Sequence, residues 1–196
     1  MQTSRVKWSV VVAICLMVMA GLAAGAMFVT RDTATSGGTD ATGAAAGAAD
    51  RTTGPSGLPV PRFVSLKTDR VNVRRGPSTA HQVIWVYARK GLPVEIIAES
   101  EHWRRVRDSD GEEGWVYHSL LAGRRTGLIA PWRKGEKVKL QDGPEETSGT
   151  IALVQTGVVG DVLACTGTWC EFRVAGYTGW LKQELVWGVY PSEAID

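Results

Sequence analysis

The chain has 196 residues, with 22 Lys or Arg against 20 Asp or Glu, a net charge of +2, and 44% hydrophobic residues. That composition is ordinary for a globular protein and excludes a collagen-like or wholly disordered chain. The near-neutral total also excludes a general nucleic-acid binder, whose affinity rests on neutralising phosphates.

Arg5 and Lys7 precede an uncharged stretch over residues 8–29, most apolar at 10–19 and made of small residues at 20–26. A basic start, an apolar core and the small-residue site Ala24-Gly25-Ala26 predict a secretory signal peptide cleaved after Ala26. The alternative is an uncleaved hydrophobic helix acting as an anchor, because about 20 apolar residues span a bilayer. Arg5 and Lys7 would then hold the amino terminus in the cytoplasm. Either way the rest of the chain is expected to be exported to the periplasm, touching membrane only through residues 8–29. Cys15, within the apolar core, reads as a small apolar residue.

Residues 30–59 are mostly Ala, Gly, Thr, Ser and Asp, and Leu58 is their only large apolar side chain. Nothing there offsets the entropy of folding, so residues 30–60 are expected to form a disordered linker. Beyond Pro61, short runs of β-branched and aromatic residues alternate with Gly, Pro, Asp and Ser. They predict strands at 62–67, 71–74, 83–88, 93–98, 103–108 and 113–117, hence an all-β fold.

An internal repeat sets the architecture. Val71-Asn72-Val73-Arg74-Arg75-Gly76-Pro77 is echoed by Val138-Lys139-Leu140-Gln141-Asp142-Gly143-Pro144, and Ala98 to Trp103 aligns with Ala164 to Trp169. Gly114-Trp115-Val116 likewise matches Gly179-Trp180-Leu181. The offset drifts by one residue in each of two loops, so one module is used twice. A strand of apolar-Asn-apolar-Arg running into Gly76-Pro77-Ser78, then Trp103-x-x-Val106 and Gly114-Trp115-Val116, resembles the bacterial SH3-like domain. Residues 62–190 resemble a tandem family of exported bacterial SH3-like proteins. The resemblance implies two small β-barrels, at 61–122 and 136–190, with a connector at 123–135 and a tail at 191–196. The second copy departs from the pattern, carrying Lys139 and Gln141 in place of Asn72 and Arg74.

Cys165 and Cys170 flank a tight connection between two expected strands and would face each other across it. In an oxidising compartment such a pair favours a disulfide. Glu99 and Arg104 hold the corresponding positions in the first copy, which suggests a cross-strand ion pair there. No metal or cofactor is expected, since zinc would need two further ligands and no His or Cys lies nearby.

Tandem SH3-like modules behind an export segment imply a non-catalytic binding protein of the cell envelope, with peptidoglycan or an envelope protein as partner. The alternative is a cell-wall hydrolase, or a regulator of one, with Cys165 or Cys170 reactive. Against it, the exported cysteines lie in the second repeat, all three His lie in the first, and no Gly-x-Ser-x-Gly or His-Glu-x-x-His motif is present. Trp and Tyr beside arginine suit a shallow peptide or glycan site. The candidate ligand residues are Asn72, Arg74, Trp85, Tyr87, Trp103, Arg105, Trp115, Trp169 and Trp180; the other reading of Trp115 and Trp180, which follow Gly114 and Gly179, is that they wall the small barrels. Trp103 and Trp169 have the parity opposite to Val106 and Phe172, which puts them on an outer face or rim. Residues 60–134 carry 14 bases and 8 acids, whereas residues 135–196 carry 4 and 9. This division favours docking of the two modules, with Leu128, Ile129 and Trp132 buried between them; the other reading is an anionic partner for the first module.

Overall fold

Strands form where β-branched residues alternate with polar ones. In Val71-Asn72-Val73-Arg74 both valines are buried and Asn72 is exposed, the two-residue period of a half-buried strand. The computed structural model describes residues 52–196, so the expected signal peptide or anchor helix and most of the linker lie outside the described residues. Among those residues the only helical turns are the 3-10 turns His118–Leu120 and Gln183–Leu185. No helix among them is long and apolar enough to cross a membrane.

A hairpin of β1 (Thr52–Thr53) and β2 (Pro59–Val60) comes first. The first module follows, with β3 (Arg62–Leu66), β4 (Val71–Arg74), β5 (Val83–Tyr87), β6 (Pro93–Ser100), β7 (Trp103–Arg107), β8 (Glu113–Tyr117) and β9 (Leu121–Ala122). Its sheet order is β5-β4-β8-β7-β6-β3-β9. The second module has β10 (Thr126–Ile129), β11 (Lys137–Gln141), β12 (Thr150–Gln155), β13 (Val159–Thr166), β14 (Trp169–Val174), β15 (Tyr177–Lys182) and β16 (Val186–Trp187). Its order, β12-β11-β15-β14-β13-β10-β16, repeats the first, and β17 (Ala194–Ile195) adds to β13. Register shifts fall at equivalent places, after Val73 and Leu140 and after Ile96 and Val162. Such bulges bend a strand and let a short sheet wrap its own core.

Each module has a separate core. Val71, Val73, Val94, Ile96, Val106 and Val116 fill the first, and Leu140, Val162, Phe172 and Leu181 dominate the second. Phe172 fits because Gly127 and Gly160, paired across β10 and β13, leave it room. A Cβ on Gly160 would meet the Phe172 ring and the Arg173 carbonyl, and one on Gly127 would lie 2.8 Å from that ring.

Cys165 and Cys170 are directly opposed on β13 and β14 and form a disulfide. At the same place in the first module, Glu99 is opposed to Arg104 and pairs with it at 3.0 Å. Arg62 adds a second guanidinium to Glu99 at 2.7 Å. The Ser56 amide and hydroxyl donate to the same carboxylate at 2.9 and 2.8 Å. These last bonds correct the linker boundary: residues 52–60 fold as a hairpin seated on β6, because Glu99 supplies the acceptors that an apolar-poor segment needs.

The connector also differs from expectation. Leu128 and Ile129 are buried within the second module's own sheet, on β10, which pairs with β13 and β16. Trp132 is 54% exposed rather than buried between modules. The seam between the modules is built instead from Phe63, whose ring meets Trp187 edge-on at 5.2 Å and Tyr190 at 4.8 Å. Tyr190 donates its hydroxyl to Glu95 at 3.0 Å, and Thr126 donates to the Gly91 carbonyl at 2.8 Å. Arg89 donates across the seam to the Gly157 carbonyl at 3.1 Å, whereas the ion pairs of Arg124 with Asp161 and of Arg125 with Glu193 tie the connector to the second module itself.

Candidate ligand-binding site

Two surfaces carry aromatic and charged side chains together. The first is the outer face of the first module, where β4, β8 and β7 run side by side. Arg74 is opposed to Trp115, and Trp115 to Arg105, so the three side chains form a row across the sheet. Trp115 is half-buried, and Arg105 is exposed and pairs with Glu113 at 2.7 Å. One step along the same face Trp103 is opposed to Tyr117, with their rings edge-on at 5.3 Å. Trp103 is 8% exposed although it stands outside the core cluster, so its parity is that of an outer residue while its surface is covered.

Arg74 is engaged within its own loop. Its Nη1 donates to the Thr79 carbonyl at 3.0 Å and to the His81 carbonyl at 2.7 Å, closing the turn that follows β4. Gln141 does the same in the second module, reaching the Glu146 and Ser148 carbonyls at 3.5 and 3.4 Å. The departure of the second copy at this position therefore preserves a brace. Asn72 is exposed, opposite the exposed Val86. Trp85 and Tyr87 turn toward the core, being opposed to the buried Val73 and Val71, and the shift after Val73 brings Ile84 inward beside them. Tyr87 donates to Asp108 at 3.1 Å, and burial, followed by the Asp108 charge, pushes its hydroxyl well above the ordinary tyrosine range.

The second surface is a cleft of about 750 Å³ in the second module. Trp132, Trp169 and Trp187 line it, along with Lys182, Glu184 and Val189. Trp169 opens β14 opposite Lys182, which brings the Lys182 Nζ to 5.9 Å from the centre of the indole ring. Glu146 pairs with that ammonium and holds it above the ordinary lysine value. Gln183 fixes the far wall, donating from Nε2 to the Tyr190 and Glu193 carbonyls at 2.7 and 3.0 Å. The disulfide closes the loop 166–169 that forms the near wall. The Trp187 Nε1 and Gln183 Oε1 atoms have no hydrogen-bond partner among the described residues. Trp180, flanked by Gln141 and Glu171, is half-buried on the neighbouring face.

Of the residues that sequence reasoning selected, the first module brings together Arg74, Trp103, Arg105 and Trp115, and the second places Trp169 in the cleft. Trp132 and Trp187 were not selected. They come from the connector and from β16, and no local pattern in the sequence shows that a connector Trp will share a wall with Trp169.

Chemically, the cleft offers indole faces, one ammonium and two carboxylates. No group of three or more His, Cys, Asp or Glu residues that could hold a metal occurs among the described residues. A smaller recess of about 470 Å³ at the junction of hairpin and modules includes Arg62, Arg104 and Arg125, each already engaged with Glu99 or Glu193.

A family profile described as Bacterial SH3 domain matches residues 67–123 and again residues 134–188. No curated protein matches the chain. Among solved structures, NlpC2 from Trichomonas vaginalis is similar over 65% of this chain and 48% of its own, at 13% identity and a TM-score of 0.30. NlpC1 from the same organism is similar over 64% and 45%, at 14% identity and a TM-score of 0.30. The chain thus spans about half the length of those structures.

Proposed function

Since the chain belongs to the bacterial SH3 domain family and carries the domain twice, we propose that it is a non-catalytic binding protein of the cell envelope. Its partner is peptidoglycan or an envelope protein, held in the aromatic cleft of the second module. The observation that carries this reading is the cleft itself, a concavity whose walls bring three indoles from distant parts of the chain together. Concave, largely apolar sites with a few placed polar groups are where ligands bind. The basic and apolar start of the sequence supports export, with residues 8–29 as signal or anchor.

The hydrolase alternative requires a thiolate, and the disulfide ties up both Cys165 and Cys170 inside the core. The test is retention of the full chain, purified in mild detergent, on intact peptidoglycan sacculi. Retention that is lost with Trp132→Ala is expected. A chain that passes through unretained, and that cross-links to no envelope protein in cells, overturns the proposal.

A further inference from the structure

Three features of the cleft concern cations. First, it already holds one: the Lys182 side chain lies against Trp169 with its Nζ 5.9 Å from the ring centre. Indole faces attract ammonium groups through the ring quadrupole, and the lysine stem can lie along apolar surface while the head stays polar. Second, the charged residues lining the cleft are Glu146, Glu184 and Lys182, so carboxylates outnumber ammonium groups. Glu146 is paired with Lys182, while Glu184 is exposed and acts on the same ammonium only through its field. Third, two more indoles, Trp132 and Trp187, line the cleft beyond the one that Lys182 covers. The excess of acids over bases in residues 135–196 adds a long-range field of the same sign.

We propose that this cleft receives a lysine-type side chain of a peptide, its primary ammonium set between an indole face and Glu184, with Lys182 as the internal occupant of the neighbouring position. The Lys182–Trp169 contact is the pattern that the ligand repeats. The choice of a peptide amine over an amino sugar follows from that occupant, whose flexible four-carbon stem carries the ammonium along the ring. The inference rests on the cleft being the binding site, and it adds the chemistry that the cleft selects.

The experiment is a titration of the full chain in mild detergent, read by tryptophan fluorescence, with the capped peptide acetyl-Ala-Lys-Ala-amide as probe. Binding is expected to weaken roughly tenfold when the lysine is Nε-acetylated, the scale of a desolvated cation–π contact together with an ion pair. Glu184→Gln, at an exposed position, should weaken it several-fold without changing the circular dichroism, and added salt should act in the same direction. Lys182→Met removes the like charge from the neighbouring position and should tighten binding. Equal affinity for the acetylated peptide, no response to Glu184→Gln, or preferential binding of glucosamine each overturns the inference. Sacculus retention measured in parallel separates the two levels: retention that depends on Trp132 but is not competed by the peptide leaves the binding role standing and removes the ammonium specificity.

Discussion

The two modules fill the same wall of the barrel in different ways. Where the first places Val64, Val94 and Val106, the second places Gly127, Gly160 and Phe172 at equivalent registers on the same three strands. Three medium side chains have been exchanged for one large ring and two positions with no side chain. What the fold demands is a filled volume at native density, and the identity of the residue supplying it is free so long as its neighbours compensate. A second pair of solutions stands at the β6–β7 and β13–β14 hairpins. The disulfide of the second module is self-contained, whereas Glu99 draws in Arg62 and Ser56 and so ties an extra hairpin to the first.

The largest effect should come from the core exchange. Phe172→Ala is expected to cost about 3–5 kcal/mol in urea denaturation, by lost burial and the cavity left behind. Transplanting the first module's set, Phe172→Val with Gly127→Val and Gly160→Val, should recover only part of that loss, because a Cβ on Gly160 also meets the Arg173 carbonyl, which removing the ring does not relieve. A transplant no more stable than Phe172→Ala would break the equivalence of the two walls.

Next comes the ion cluster. Glu99→Gln leaves two largely buried guanidinium groups without their carboxylate and should cost about 3 kcal/mol. Burial pushes the Glu99 carboxyl up, but the Ser56 amide, Arg62 and the Ser56 hydroxyl outweigh it and hold the group below the ordinary glutamate value. A lowered carboxyl stabilises the fold fully above the ordinary glutamate range, and that contribution is lost as pH falls through the lowered value. The protection of the Ser56 amide against exchange, relative to an unfolded amide at the same pH, should therefore persist through mildly acidic pH and be lost only in stronger acid. Loss of that protection already near neutral pH would show that Glu99 does not hold the hairpin.

A smaller effect is expected from Cys165→Ser with Cys170→Ser, roughly 2 kcal/mol for so short a loop in the chain-entropy model. The converse swap, Glu99→Cys with Arg104→Cys, should form a disulfide at the same register while releasing the hairpin. Thiol titration and exchange at residues 52–60 check the two halves of that statement. The smallest change belongs to Arg74→Gln, which copies the second module's brace and should shift stability by less than about 1 kcal/mol. Arg74→Ala should cost more, and its effect should be confined to the loop at 75–81.

Much of the fold could be read from residue order alone, because strand alternation and turn residues are local. The strands at Val71–Arg74 and Glu113–Tyr117 fall at the expected residues, and Cys165 and Cys170 face each other as their spacing implied. The site was less legible. Trp85 and Tyr87 share one face of a regular strand and Ile84 and Val86 the other. Alternation alone does not say which pair turns inward, and the bulge that brings Ile84 in beside Trp85 has no signature in the sequence. Trp132 sits among apolar residues and reads as buried, yet only Leu128 and Ile129 are taken up by the sheet. Residues 52–60 lack any apolar pattern, and their order depends on a carboxylate some forty residues away.

The hairpin before the first module has a mechanical consequence. Any tension transmitted along the preceding chain enters the described structure at Thr52, whose strand pairs only with Pro59–Val60. That load would peel a two-residue ladder and then the Ser56–Glu99 bonds, one after another, before reaching β3, which is clamped between β6 and β9. Under such a pull the hairpin's few bonds are the first to bear load, ahead of the four-residue ladder between β3 and β6.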